Sequence, residues 1–314
     1  MQDMVNGFDV PMLGLGKSDW LETLENIVDE HGYFQPLGDR HYATLVEEKP
    51  ILLVTFETIQ GVQNRGDSGQ PLGFELVREL GWSHLCVLSD GDTWFRDPAV
   101  YAYFDRLADD GFFDEFENVL FYGAGPCGYA AAAFSVTAPG ARVVTINPQA
   151  TLDPSMADWD RRYTEARRLC FTDRYGFAPE MIEAADQAFV LYSRDQQEDA
   201  MHATLFHADN VERLALPRLG PDPEAQLLEM QVLFRILVQA NIGKLTRASF
   251  FKLMRARRNH LPYLRHLLKQ LKQGNRFLLT ALLCANVTAR MRAPQFEKTL
   301  TELDAAASEG RLSA

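Results

Sequence analysis

The sequence predicts an α/β protein, a mostly parallel sheet with helices on both faces, followed by an all-α, basic C-terminal region. Three observations carry this. Short apolar, β-branched runs alternate with amphipathic segments as far as residue 216, as strand–helix–strand units require. Residues 223–314 contain no such run. The charge divides in the same place. Residues 1–234 hold 16 Lys and Arg against 39 Asp and Glu, whereas residues 235–298 hold 14 Lys and Arg against Glu297 alone. The expected division is therefore an acidic body over residues 1–222 and a basic helical domain over 223–314, with the boundary near Gly220–Pro223.

Tyr33–Leu37 and His41–Val46 are expected to form an antiparallel edge pair. The core strands are Ile51–Phe56, Leu85–Ser89, Val119–Tyr122, Val143–Ile146, Ala188–Tyr192 and Val211–Leu216, each apolar enough to be buried on both faces. Between them the helical segments are Gly73–Leu80, Ala99–Ala108, Tyr129–Thr137, Asp158–Leu169 with Pro179–Ala188, and Glu198–Phe206. In the C-terminal region Leu227, Leu228, Leu233, Ile236 and Leu237 recur at helical spacing. Further helices cover Ser249–Arg258, the segment from Pro262 to Gly274, Arg276–Arg292 and Gln295–Ala307.

Hydrophobic residues make up 46% and charged residues 24% of the 314, a globular composition that excludes disorder and fibrous architecture. Runs such as Ile51–Phe56 are far shorter than the ~18 residues a membrane span needs. Residues 1–6 lack the basic and apolar regions of a secretory signal. Cys86, Cys127, Cys170 and Cys284 form no CxxC pair, so a zinc knuckle or dithiol site is not expected. They read as buried thiols in a reducing compartment, and the expected location is the cytoplasm. No GxGxxG with a ribose acid and no Gly-Lys-Ser/Thr phosphate loop occurs, so no cofactor is expected.

The informative segment is Phe121-Tyr122-Gly123-Ala124-Gly125-Pro126-Cys127-Gly128-Tyr129-Ala130-Ala131. A strand, a tight Gly-rich turn and an Ala-rich helix are the context of a nucleophile elbow. The segment resembles the Tyr-Gly-x-Ser-x-Gly-Gly-Tyr-Ala-Ala elbow of the α/β-hydrolase superfamily, in the esterase-like branch found beside bacterial surface-glycan and accessory-secretion machinery. Val54–Glu57 resembles the strand and oxyanion loop of that family. Ser89–Phe95 resembles its Asp-rich, Trp-aromatic segment, and Asn147-Pro148-Gln149 its Pro-Gln turn. The resemblance covers residues 33–223 and implies an α/β-hydrolase-like fold.

Two departures are decisive. Gly125 stands where the family places its serine, and the loop Pro217–Pro223 after the last strand holds no histidine. Without a hydroxyl there is no acyl-enzyme, and without an imidazole no general base. Cys127 is the candidate substitute nucleophile, in the first helical turn, where the macrodipole lowers a thiol pKa. Its alternative role is a small residue packed against the sheet. Asp195 or Asp199 with His202 matches the stretch in which the family carries an Asp and a His, and the alternative is a helix-cap acid and a helix-face imidazole. His207 reads as a surface-loop residue. Asp90-Gly91-Asp92 could hold a divalent cation in a sugar-nucleotide transferase, but offers few oxygen ligands, and no metal is expected.

Lys252, Arg255, Arg257, Arg258, Arg265, Lys269, Lys272 and Arg276 form a dense basic surface. Docking onto the acidic body, within one chain or in a homodimer, is preferred to a nucleic-acid partner, and a helix lying on a membrane surface is a third reading. Phe250, Phe251 and Tyr263 read as core. The expected function is a non-catalytic relative whose cleft, shaped by Phe56, Gly123, Gly125, Pro126 and Cys127, binds a small-molecule or glycan-related ligand in glycan or cell-envelope assembly. The alternative is an ester or thioester hydrolase or acyltransferase using Cys127. A metal-dependent glycosyltransferase using Asp90 and Asp92 comes third.

Overall fold

The computed structural model describes residue 8 and residues 10–48, 50–66 and 68–308; the hexapeptide read above for a signal lies outside them. The strands are β1 (Gly32–Leu37), β2 (His41–Val46), β3 (Ile51–Thr58), β4 (Ser83–Ser89), β5 (Asn118–Ala124), β6 (Arg142–Ile146), β7 (Gln187–Tyr192) and β8 (Val211–Ala215). They form one eight-stranded sheet in the order β1-β2-β4-β3-β5-β6-β7-β8. β2 runs antiparallel to both β1 and β4, and every pairing from β4 to β8 is parallel. The six core strands and the antiparallel edge pair are those expected from the sequence.

The helices of the sheet region are α1 (Lys17–Val28), α2 (Ile59–Gln63), α3 (Gly73–Leu80), α4 (Pro98–Asp109), α5 (Pro126–Phe134), α6 (Pro154–Ala157), α7 (Ala178–Met181) and α8 (Gln197–Leu205). Alternation along β3 explains the two layers. Val54 and Phe56 join a large core in which Phe56 packs against Phe104 of α4 and Phe134 of α5. Cys86 and Leu88 of β4 face a second core with Trp20, Leu24 and Val28 of α1 and Phe74 and Val77 of α3. α1 carries its apolar residues at Trp20, Leu24, Ile27 and Val28, the spacing of a one-sided helix, although the sequence reading passed over it.

Three expectations change. The segment 158–169 is not a helix; a 3₁₀ turn at Thr164–Arg168 is all that forms there. The Asp160 carboxylate accepts the backbone N–H of Arg162 at 3.0 Å, a local bond that competes with helix. Cys170 is exposed, whereas the other three cysteines are buried. Phe251 is exposed as well, while Phe250 and Tyr263 are buried.

The chain forms two compact units, Met1–Leu253 and Met254–Ala314. The packing boundary thus falls beyond the charge step near Gly220–Pro223. α9 (Pro223–Glu229), α10 (Leu233–Asn241) and α11 (Arg247–Leu253) belong to the first unit. α10 buries Leu233, Ile236, Leu237 and Ala240 and packs on β5 and β6, and its Asn241 carbonyl accepts from Arg142 of β6. The second unit follows a 3₁₀ turn at Met254–Asn259 and contains α12 (Leu261–Gln273), α13 (Phe277–Thr288) and α14 (Pro294–Ser308). Among the described residues no helix is long and apolar enough to cross a membrane.

Candidate functional site

The strand order reverses at β3, which lies between β4 and β5. In an open parallel sheet the crevice forms at the carboxyl ends of the strands flanking such a point. The elbow lies there. β5 ends at Ala124, α5 begins at Pro126, and Gly125 between them has φ 56° and ψ −126°. This is strained for any residue with a side chain. The Gly125 N–H donates to the Ile146 carbonyl at 2.8 Å, which ties the turn to β6. A Cβ on Gly123 would lie 2.1 Å from the Cys127 carbonyl oxygen, so only glycine lets α5 approach β5 this closely. A Cβ on Gly125 would meet nothing within 4 Å.

The turn therefore has the backbone of a nucleophile elbow and room for a side chain, but neither chemical group. Gly125 has no hydroxyl. The donor expected from the residue after the nucleophile is a backbone N–H, and Pro126 has none. Proline at the first position of α5 stabilises the helix start, where that N–H would have no helical partner. Pro126 thus favours the helix start and has no N–H to offer a ligand at the turn.

Cys127 is buried, and burial drives its thiol pKa up, reinforced by the charges of Glu224 and Glu57 and only partly opposed by Arg65. Burial thus works against the lowering that a place in the first helical turn was expected to bring. The desolvation cost of a thiolate outweighs the dipole in a site that also faces two carboxylates. Phe56 does not lie in an oxyanion loop. Val54–Glu57 is strand throughout, and the Phe56 ring contacts Phe95, Phe104 and Phe134 in the core.

The sequence reading missed a buried polar cluster on the opposite face of β3. The Glu57 carboxylate accepts from the Thr55 hydroxyl at 2.9 Å and the Leu72 N–H at 3.1 Å, and pairs with Arg65. Arg65 also lies 3.7 Å from Glu224 of α9, which accepts from the Tyr122 hydroxyl at 2.6 Å. Burial alone would raise the Glu57 pKa, but Arg65 and the hydrogen bonds outweigh it and hold the carboxyl below its ordinary value. Burial raises Glu224, and Arg65 and Tyr122 offset it only in part. The signal for Glu57 was a carboxylate ending an apolar strand. Arg65 lies only eight residues after Glu57 but in a different element, and Glu224 carries no local signal, since its partners Arg65 and Tyr122 lie far away in sequence.

Glu57, His84 and Cys86 bring three ligating atoms within 4.8 Å of one another. Their bonds are internal. Thr55 gives its proton to Glu57, so His84 Nε2 donates to the Thr55 oxygen at 2.8 Å, and Cys86 donates to Glu57 at 3.5 Å. The Arg65 cation on Glu57 opposes a second cation there.

Beside this cluster a groove of about 1220 Å³ opens between the segment after β3 and α9–α10. Gln60, Asn64, Arg65, Glu224, Phe234 and Arg235 are among its lining residues. Gly123, Gly125, Pro126 and Cys127 are not, so the groove adjoins Arg65 and Glu224 rather than the elbow.

His202, Asp195 and Asp199 are not brought together as a triad. His202 is fully buried; its Nδ1 accepts the Ala150 N–H at 3.2 Å, so its Nε2 donates to Asp160 at 3.0 Å. Asp160 and Asp199 share Arg162, with Asp199 at 2.7 Å from its guanidinium. Asp195 is exposed and accepts the Arg218 N–H at 2.5 Å. This network braces the segment after β6 against α8. His207 is exposed in the loop after α8. The Asp90 carboxylate is engaged by Lys17 at 2.5 Å and Gln60 at 2.8 Å, and Asp92 is exposed.

No protein-family model matches the chain, and no curated protein matches it. Solved structures do. The chain is similar to a chain of the glycosylation-associated protein complex of Streptococcus agalactiae, at 12% identity and a TM-score of 0.45, over 67% of this chain and 46% of that one. It therefore spans less than half the length of that protein. It is also similar to the capsule O-acetyltransferase of Neisseria meningitidis serogroup A, at 12% identity and a TM-score of 0.45, over 66% of this chain and 94% of that one. A third is a carboxyl esterase of the fungus Tuber melanosporum, at 15% identity and a TM-score of 0.41, over 66% and 84% of the two chains. Strand order, parallel pairing and the turn after β5 make the sheet region an α/β-hydrolase-like fold, and among the described residues helices and no strands follow β8.

Proposed function

We propose that this chain is a non-catalytic α/β-hydrolase-like protein that binds a glycan-related ligand in the groove beside Arg65 and Glu224, in cytoplasmic steps of glycan or cell-envelope assembly. One observation carries the first half: the elbow keeps its strained backbone at Gly125 while residues 125 and 126 provide neither a nucleophilic oxygen nor an oxyanion N–H. The groove supports the second half. The side-chain amide at Asn64, carboxylate and guanidinium groups at Glu224 and Arg235, and one ring at Phe234 suit sugar hydroxyls and a sugar face. The alternative cysteine chemistry at Cys127 has a thiol whose pKa burial raises, and among the described residues no imidazole hydrogen-bonds to it. The Asp90 carboxylate that a metal-dependent transferase needs is held by Lys17 and Gln60.

The test is intact-mass labelling with activated-ester, thioester and fluorophosphonate probes on wild type, Cys127→Ala and Gly125→Ser. We expect no acyl adduct that depends on residue 125 or 127, any slow labelling of the exposed Cys170 being the same in all three. Acylation of wild type that vanishes in Cys127→Ala would establish a cysteine acyl-enzyme instead. Adduct formation gained in Gly125→Ser would show that a base and oxyanion site survive. Calorimetric titration with nucleotide sugars and oligosaccharides addresses the groove, and binding should weaken about tenfold or more in Phe234→Ala.

A further inference from the structure

The second compact unit contains a helix turned the unexpected way round. α13 reads Phe277-Leu278-Leu279-Thr280-Ala281-Leu282-Leu283-Cys284-Ala285-Asn286-Val287-Thr288. Its buried positions are Thr280, Cys284 and Val287, whereas Leu278 is 72%, Leu282 58% and Leu279 50% exposed. Leu278, Leu279 and Leu282 share one side of the helix at i, i+1 and i+4 spacing. A helix free to choose would bury the leucines and expose the threonine. Exposed, contiguous apolar side chains of this size mark a surface that something covers.

The surrounding charge says what covers it. Residues 254–308 hold ten Lys and Arg against Glu297, Glu302 and Asp304, a balance of +7. Arg265, Lys269 and Lys272 fall at i, i+4 and i+7 as an exposed basic stripe along α12, and exposed Arg276 follows the end of that helix, immediately before Phe277. A second copy meeting this face through its own α13 would bring two such positive units together, which costs free energy. A nucleic acid would meet the charge and leave the leucines uncovered. One surface satisfies both features, with anionic groups at its edge and hydrocarbon just beneath.

We propose that the α12–α13 hairpin docks on an anionic phospholipid bilayer, with Leu278, Leu279 and Leu282 inserted at the interface and the Arg265–Arg276 stripe on the headgroups. α13 lies in the surface plane rather than crossing it, in keeping with its 12 residues. The proposal is independent of the ligand groove.

The full chain is sedimented with vesicles of phosphatidylcholine mixed with phosphatidylserine, and with vesicles of phosphatidylcholine alone. Wild type should bind the mixed vesicles, release from them at high salt, and leave the neutral ones in the supernatant. Leu278→Ser with Leu282→Ser should weaken binding about tenfold or more. Arg265→Gln with Lys269→Gln and Lys272→Gln should weaken it about a hundredfold. Every substituted residue is exposed, and unchanged circular dichroism confirms that the variants fold. Failure of wild type to bind, equal binding to both vesicle types, or binding untouched by the leucine substitutions would overturn the proposal. So would a wild-type dimer that the leucine substitutions convert to monomer without any vesicle binding, which would give the face to a second copy.

Discussion

His84 shows how one buried side chain ties the fold to pH. Its Nε2 proton is committed to Thr55, and its buried Nδ1 has no hydrogen-bond partner. Protonation would put a charge and an orphan N–H into the interior, and burial accordingly lowers its pKa to about 4, with Glu57 opposing. The unfolded chain takes up this proton near pH 6.5 and the folded chain only near 4. Between those values the unfolded state binds more protons, so stability falls as pH falls, by about 3 kcal/mol across the window. The lowered Glu57 pKa acts in the same direction at lower pH. We expect the urea midpoint of wild type to decline from pH 7 to 4.5, and that of His84→Gln to decline less. Parallel curves would remove His84 from the account. None of this was legible in the sequence, where His84 precedes the apolar run Leu85–Ser89 and its partners Thr55 and Glu57 lie about thirty residues earlier.

At the scale of the element, the elbow was legible because its signals are local. Gly123, Gly125, Pro126 and Gly128 lie within six residues, and each is there for a backbone reason. The three glycines have different reasons, which gives a prediction. Gly123→Ala drives a Cβ into the Cys127 carbonyl, and α5 must move away from β5. The cost should be about 3 kcal/mol. Gly125→Ala meets no atom and bears only the backbone strain at φ 56°, about 1–2 kcal/mol. Thermal midpoints should rank wild type, Gly125→Ala, Gly123→Ala, and the reverse order of the two variants would contradict the close-approach argument. That residue 126 cannot donate a backbone hydrogen bond was also available locally, since proline never donates, but it acquires meaning only when α5 is seen to start on that residue.

For the whole molecule the question is where the folding unit ends. The charge step near Gly220–Pro223 is real, yet α10 continues the first unit by burying Leu233, Ile236 and Leu237 on β5 and β6. Each such side chain stabilises by ~1.5–3 kcal/mol, against a total of about 5–15 kcal/mol for a domain. A chain ending at Leu253 should therefore unfold cooperatively in urea, whereas one ending at Asp222 should lack a cooperative transition. Cooperative unfolding of the shorter chain would place the boundary at the charge step after all.

The sequence by itself determined the strands, the parallel core with its antiparallel edge, and the Gly-rich turn in which residue 125 is glycine and residue 126 proline. These depend on periodicity and on neighbours within a few residues, which the chain states directly. The tertiary structure decided which charges meet. Tyr122 bonds Glu224 across 102 residues, and His202 bonds Asp160 rather than Asp195 or Asp199. It also decided that Cys127 is buried and that α13 turns its leucines outward. Pairing and burial are properties of packing between distant segments, and desolvation, which sets the chemistry of each buried group, exists only once that packing has formed.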